Sequence, residues 1–331
     1  MKLRSFYLLL FFLPAFVFAQ ENEFVPSGKA FALIFANFHR GITGSATDEA
    51  AFELKRAYLG YEHQLSPEFY AKINVDVGSP NDLSPLSKIR RYAYFKNAFL
   101  RYTQKKAEIE FGLISLKQFK LQEDIWERRY LMEVLADEYN FGSSADLGAN
   151  FHYKFSKTID ADFTIMNGEG YTSLQMDDIF KYSVGSTIRL PRNFTSRVVY
   201  DWMRNGNSET NFLIFTSYNF RNIGNLAAEY IIRRNSRYIE NQDIQGFSVY
   251  GKYNINSKYQ LFARYDIVAS NVLEGETNPW NLAKDGTALV GGIQFSPIKN
   301  IKMALNYHDW VPRAGNIEGG GFIYFDLEVK M

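Results

Sequence analysis

The sequence lacks cysteine altogether, which excludes a disulfide framework, a thiolate nucleophile and a thiolate metal site across all 331 residues. Histidine is scarce: His39, His63, His152 and His308 are the four, and none stands in an H-E-x-x-H or comparable ligand spacing. No charge sign dominates. With 37 Lys+Arg against 36 Asp+Glu the formal net charge is +1, which leaves no electrostatic footprint for nucleic acid. Beyond residue 19 no apolar run approaches the roughly 20 residues of a membrane-spanning helix. There is no G-x-S-x-G nucleophile elbow. The glycines at 319–321 are not followed by a helix that could cradle a phosphate. No cofactor is implied.

What the chain has in excess is aromatic character, with 29 Phe, 22 Tyr and 4 Trp making 17% of the residues. Its first segment is also distinctive. Lys2 and Arg4 precede an apolar run from Phe6 to Ala19, and Val17 and Ala19 supply small residues before Gln20. This is the plan of a secretory signal peptide over 1–19, with a mature chain of 20–331. An exported chain without a later helical span is either soluble outside the cytoplasm or a β-barrel in an outer membrane.

Alternation with period two decides between these. In 70–77 Ala71, Ile73, Val75 and Val77 alternate with Tyr70, Lys72, Asn74 and Asp76. In 259–267 Leu261, Ala263, Tyr265 and Ile267 alternate with Gln260, Phe262, Arg264 and Asp266. Together with weaker runs the pattern gives sixteen strands. They lie near 28–39, 50–64, 68–78, 93–103, 108–117, 144–155, 159–167, 179–190, 194–203, 210–220, 225–235, 244–255, 259–268, 285–296, 300–310 and 319–330. The run 210–220 alternates poorly and leaves its facing open. Short turns such as Ser156-Lys157-Thr158 and Asn256-Ser257-Lys258 alternate with longer connections at 40–49, 79–92, 118–143, 168–178, 204–209, 236–243, 269–284 and 311–318. Within 204–209, Asn205-Gly206 is itself a tight-turn signal. Short turns on one side and long loops on the other describe an all-β, up-and-down antiparallel transmembrane barrel. The mature length leaves about 20 residues per strand and connection, and a tilted membrane strand needs roughly 9–11 of them. A secreted β-sandwich is the soluble alternative. It does not need so many evenly spaced strands, nor aromatics crowding strand ends as Phe31, Phe35, Phe38, Tyr58, Tyr61, Tyr182, Tyr200, Trp202, Tyr307 and Trp310 do; girdles at two bilayer interfaces do.

The local words then become familiar. Ala51-Phe52-Glu53-Leu54-Lys55-Arg56-Ala57-Tyr58-Leu59-Gly60-Tyr61 resembles the second-strand signature of the phosphate-selective porin O and P-like family. So do Phe111-Gly112-Leu113-Ile114 with Lys117-Gln118-Phe119, Trp126-Glu127-Arg128-Arg129-Tyr130, Ser143-Ser144-Ala145-Asp146-Leu147-Gly148, Asn167-Gly168-Glu169-Gly170-Tyr171, Leu261-Phe262-Ala263-Arg264-Tyr265-Asp266 and Trp280-Asn281 before Asp285-Gly286. The order of these words covers essentially the whole mature chain and is closest to Bacteroidetes-type members. The resemblance implies an outer-membrane diffusion channel, often a homotrimer, whose long third loop folds into the lumen.

If the apolar phase faces outer-membrane lipid, the other phase lines a channel, and its lining sets selectivity. That phase places Arg56, Lys72, Arg101, Lys154, Arg189, Arg197, Arg233, Arg264 and Lys302 on the inner wall, along with Asp76, Glu110, Asp160, Asp162, Glu229, Asp266 and Asp326. Averaged over the lumen, these charges nearly cancel. Loop 118–143 is the constriction candidate, through Trp126, Glu127, Arg128 and Arg129, yet its acids outnumber its bases. Arg128 and Arg129 therefore either meet solute or pair with carboxylates and pin the loop. The expected partners are small hydrophilic solutes or ions, with inorganic anions such as phosphate as the family-implied case. A barrel with a secretion, assembly or enzymatic (lipase or protease) role is the alternative function.

Overall fold

The computed structural model describes residues 24–78 and 92–331; the expected signal peptide 1–19 and nearly all of connection 79–92 lie outside them. The strands are β1 (Ser27–Gly44), β2 (Ala50–Gln64), β3 (Phe69–Gly78), β4 (Tyr92–Gln104), β5 (Ala107–Ser115), β6 (Ala145–Lys154), β7 (Ile159–Met166) and β8 (Lys181–Leu190). The second half adds β9 (Phe194–Asn205), β10 (Asn207–Asn219), β11 (Gly224–Arg234), β12 (Ile244–Asn254), β13 (Tyr259–Ser270), β14 (Gly286–Ile298), β15 (Ile301–Pro312) and β16 (Gly320–Lys330). Each pairs antiparallel with its sequence neighbours, and β16 returns to β1 from Leu33↔Lys330 to Gly44↔Gly320. Ala32 and Met331 exchange backbone hydrogen bonds of 3.1 and 2.9 Å at the seam. The sheet is thus closed and has no free edge.

Burial is inverted relative to a soluble domain. Leu59, Ile73, Phe111, Phe163, Ile214, Leu261, Leu305 and Phe325 are exposed on the outer face, while Asp76, Asn150, Asp162, Asn211, Ser248, Asp266, Asn306 and Asp326 are buried on the inner one. An outer belt of this kind suits a hydrocarbon surround. Aromatics mark its margins: Phe69 lies 4.9 Å from Tyr102 and Tyr259 4.8 Å from Phe295 beside short turns, and Tyr182 and Tyr200 stack on Trp202 toward the other end. Four aromatics expected in the girdles sit elsewhere. Phe35 and Tyr58 are buried on the inner face, and Phe31 and Trp310 face the lumen.

Two further departures have local causes. The connection expected over 204–209 shrinks to a hairpin turn at Gly206, because Arg204 and Asn205 pair with Ser208 and Asn207. Gly206 carries φ +71°, a conformation that favours glycine. Strand β10 alternates poorly because both its faces are apolar: Phe212 and Ile214 point outward, while Leu213 and Phe215 point inward and are buried against the long loop.

Candidate functional site

Strand β5 leaves the wall after Ser115, and the chain re-enters it at Ala145. The intervening segment, expected as a plain loop, holds two helices, α1 (Lys117–Trp126) and α2 (Leu135–Glu138). Glu127 stops α1 in the left-handed conformation at φ 59°, its N–H bonded to the Glu123 carbonyl. Inside the barrel the segment builds an apolar core. Phe119, Trp126, Leu131, Val134, Leu135 and Phe141 pack on inward residues of the wall, among them Val199, Leu213, Phe215, Ile231, Tyr250 and Phe262. Trp126 is 1% exposed, edge-on to Tyr250 at 5.2 Å and Phe262 at 6.3 Å. Its indole N–H donates to the Met132 carbonyl at 2.8 Å.

Polar anchors then tie the segment to the wall. Lys55 donates to the Leu131 carbonyl (2.7 Å), Asn211 to that of Phe141 (3.0 Å), and Asn225 to that of Ile125 (3.2 Å). Glu229 accepts the Leu135 N–H at 3.2 Å, and Tyr130 donates to Gln294 at 2.9 Å. These bonds satisfy backbone groups that would otherwise be buried without partners.

The loop arginines are taken up by this structure. Arg128 is buried, donating to Gln260 at 2.6 Å and lying 4.8 Å from the Phe262 ring centre. Arg129 stands at the centre of a carboxylate web with Glu123 at 2.6 Å, Glu133 at 2.7 Å and Asp137 at 3.2 Å. Arg56 joins it through Glu133 at 2.8 Å. Burial works against ionisation of Glu133, but Arg129 and Arg56 hold its carboxyl below the usual range. Burial and the neighbouring Glu133 carboxylate push Asp137 above that range. Glu127 receives Lys252 at 2.5 Å.

Most of the expected wall cations are likewise paired. Arg101 meets Glu110 at 2.5 Å, and Arg189 meets Asp160. Arg197 meets Asp162 at 2.8 Å beneath the loop, and Arg233 lies 3.7 Å from Glu209. Arg264, 1% exposed, meets Asp266 at 2.7 Å, and Lys302 meets Glu328 at 3.1 Å. Lys154 lies exposed at the end of β6 beside a short turn. Lys72 and Lys154 have no carboxylate within 4.0 Å among the described residues, and the Lys72 ammonium lies 4.9 Å over the Phe31 ring.

Two open spaces remain beside the loop. The first, about 380 Å³, lies against β1–β4 and reaches the C-terminal Lys330 and Met331 at the short-turn side. Its charged lining is Lys72, Lys96, Lys120, Arg129 and Lys330 against Glu123 alone. Lys120 is paired with Asp124, and Lys330 with Glu328 at 3.5 Å. Lys96 instead donates to Ser144 Oγ at 2.5 Å and lies 3.9 Å over the Tyr171 ring. Sequence phase missed Lys96, since strict alternation from Arg101 through Phe99 and Asn97 sends it outward. A bulge, where the β3–β4 register shifts between Asn74/Val75, turns Lys96 and Asn97 both inward and Phe95 out. The second space, about 420 Å³, lies against β14–β16 on the long-loop side, beside Met132, Glu138 and Tyr139. Among the described residues, no group of three or more His, Asp or Glu gathers as metal ligands.

No protein-family model matches the sequence, and no curated protein matches it either. Solved structures do. The chain is similar to the outer membrane channel DcaP of Acinetobacter baumannii, with TM-score 0.70 and 13% identity over 92% of this chain and 97% of that one. It is similar to Pseudomonas putida OprB, with TM-score 0.70 and 8% identity over 92% and 94%. It is also similar to an anion-selective porin from Comamonas acidovorans, with TM-score 0.65 and 10% identity over 93% and 100%. At such identities the likeness is one of fold: this chain has a closed sixteen-stranded antiparallel barrel similar to these structures.

Proposed function

We propose that the protein is a non-enzymatic outer-membrane porin, exported by its first 19 residues, through which small hydrophilic solutes and ions diffuse passively, with inorganic anions such as phosphate preferred. The observation that carries this reading is the basic cavity inside a lipid-facing barrel. Lys72 and Lys96 line it and have no carboxylate within 4.0 Å among the described residues. Unpaired cations in a confined, low-dielectric passage lower the barrier for anions. The paired wall cations and both loop arginines serve mainly to hold the wall and the loop in place, and Lys154 stands apart, exposed beside a short turn. The word-order resemblance to the phosphate-selective porin O and P-like family, and the anion selectivity named for the Comamonas structure, point the same way. A homotrimer embedded in outer-membrane lipid is the assembly this reading implies.

Conductance in a planar bilayer, with the reversal potential read under a salt gradient, tests it. Discrete long-lived steps with anion-selective reversal support the proposal. Folded protein that conducts nothing overturns it, in favour of a secretion, assembly or enzymatic barrel.

A further inference from the structure

The wall of the second cavity is unusual for a water-filled lumen. Inward positions of an open barrel are expected to be polar. Here Trp310 on β15 and Phe322 and Tyr324 on β16 all point inward, half-buried, beside Tyr139 of the loop. The rings are close: Tyr139 to Trp310 at 6.1 Å, Phe322 to Tyr324 at 5.8 Å, and His308 to Tyr324 at 4.7 Å. They line one side of the cavity in two groups, Tyr139 with Trp310 and Phe322 with Tyr324 and His308, yet Trp310, Phe322 and Tyr324 take no part in the apolar core that holds the loop. The cross-strand neighbours of Trp310 are Ala288 and Gly320, both too small to cover the indole. An aromatic strip left uncovered in this way faces 420 Å³ of open space.

Polar groups flank the strip. Glu138 lies on the loop side, its Oε2 accepting the Glu133 N–H at 3.1 Å, and Lys284 lies above. His308 Nε2 has no hydrogen-bond partner among the described residues. The charged residues bordering this space are Glu138, Asp309 and Lys284, so it lacks the cationic excess of the first cavity. Flat apolar faces with a few flanking donors and acceptors suit a ring that is apolar on its face and hydroxylated at its edge.

We infer that this cavity is a saccharide-binding subsite, in which a neutral mono- or disaccharide stacks on Trp310, Phe322 and Tyr324 and places hydroxyls against Glu138 and Lys284. The inference deepens the channel reading by naming a solute class at the long-loop mouth, and it needs no anion preference. Charged solutes pass by the first cavity's lysines; a sugar ring is retained by the strip.

The test uses the full-length folded protein and two readouts. Maltose is titrated calorimetrically into the detergent-folded protein, which needs no conduction. It is then added to the long-loop side of a conducting bilayer at millimolar concentration, and current interruptions are counted. Saturable binding with matching interruptions is expected, and Trp310→Ala weakens it about tenfold or more. Ala288→Leu, which covers the indole without removing it, does the same, and Trp310→Phe restores most of the affinity. Heat-modifiable migration confirms that each variant folds. Absence of binding in both readouts overturns the inference while leaving the channel reading intact if steps are seen. Binding of benzyltrimethylammonium but not maltose overturns it as well, assigning the strip to aromatic cations. Calorimetric binding without any conductance keeps the subsite and removes the porin reading.

Discussion

Replacing Lys72 and Lys96 together by glutamine removes from the first cavity the two lining cations that no carboxylate neutralises. The size of the effect follows from confinement. One unit charge in 380 Å³ corresponds to roughly 4 M of fixed charge, far above a bath of about 0.1 M. At that salt the Debye length is about 10 Å, longer than the roughly 7 Å edge of such a volume, so mobile ions screen the lysines poorly within it. The wild-type channel is therefore expected to favour anions strongly. Under a tenfold salt gradient its reversal potential should reach tens of millivolts toward the ideal anion limit of about 59 mV. The double substitution brings it close to zero, and either single substitution gives an intermediate value. Because glutamine can still donate to Ser144 Oγ, Lys96→Gln spares the local bond, and heat-modifiable migration confirms a closed barrel. Raising the bath to about 1 M, where the Debye length is near 3 Å, should shrink the wild-type selectivity but hardly alter the double variant. A double variant that keeps the wild-type reversal potential at low salt refutes the reasoning outright.

Other consequences concern the loop and the buried pairs. Trp126→Ala removes the most enclosed ring of the loop core and should cost docking about 3–5 kcal/mol, seen as larger or noisier unitary steps from a barrel that is still heat-modifiable. Arg264→Met leaves Asp266 buried and unpaired and should lower stability by about 3–5 kcal/mol, whereas Arg264→Met with Asp266→Leu recovers most of it; denaturant midpoints in detergent measure both. In pH dependence the loop carboxylates act oppositely. Asp137, raised above its ordinary value, binds a proton more readily when the loop is docked, so docking tightens as pH falls from neutrality toward about 4. Glu133, held below its ordinary value, contributes docking that is lost only as pH falls further. Gating noise should therefore pass through a minimum in mild acid, and Asp137→Asn should flatten its neutral limb.

The barrel was legible because a lipid-facing strand writes its environment into every second residue, and sixteen such runs survive single irregularities. Legibility failed where that rule is broken for a physical reason. At Lys96 a bulge adds one residue, and a side chain that lines the first cavity reads as lipid-facing. On β10 the inward residues Leu213 and Phe215 are apolar because they receive the loop, so period-two contrast vanishes. Helix α1 is ten residues with Leu121 and Ile125 among scattered charges, and its helical state depends on the wall it packs against. Phase reads the wall arginines as inward, yet whether a cation meets solute or a carboxylate depends on its neighbours across the sheet. Arg197 and Asp162, which meet across Gly185 of the intervening β8, or Arg101 and Glu110 on paired strands, are visible only once register is known.

The inner apolar patch of β9–β12 has a bearing on assembly. Val199, Leu213, Phe215, Ile231 and Ile244 make this sector greasy toward the lumen as well as toward lipid. Leu213 and Phe215 alone do not say which side of β10 is inside; the inward Asn211 and Ser217 do, with Arg197, Asp201 and Glu229 on the neighbouring strands, since a one-residue slip would turn such groups to lipid. The loop adds to that instruction, since only one facing presents Leu213 and Phe215 to Phe119, Leu135 and Phe141. A slip of β10 would therefore break the loop's apolar packing and its Asn211 anchor together.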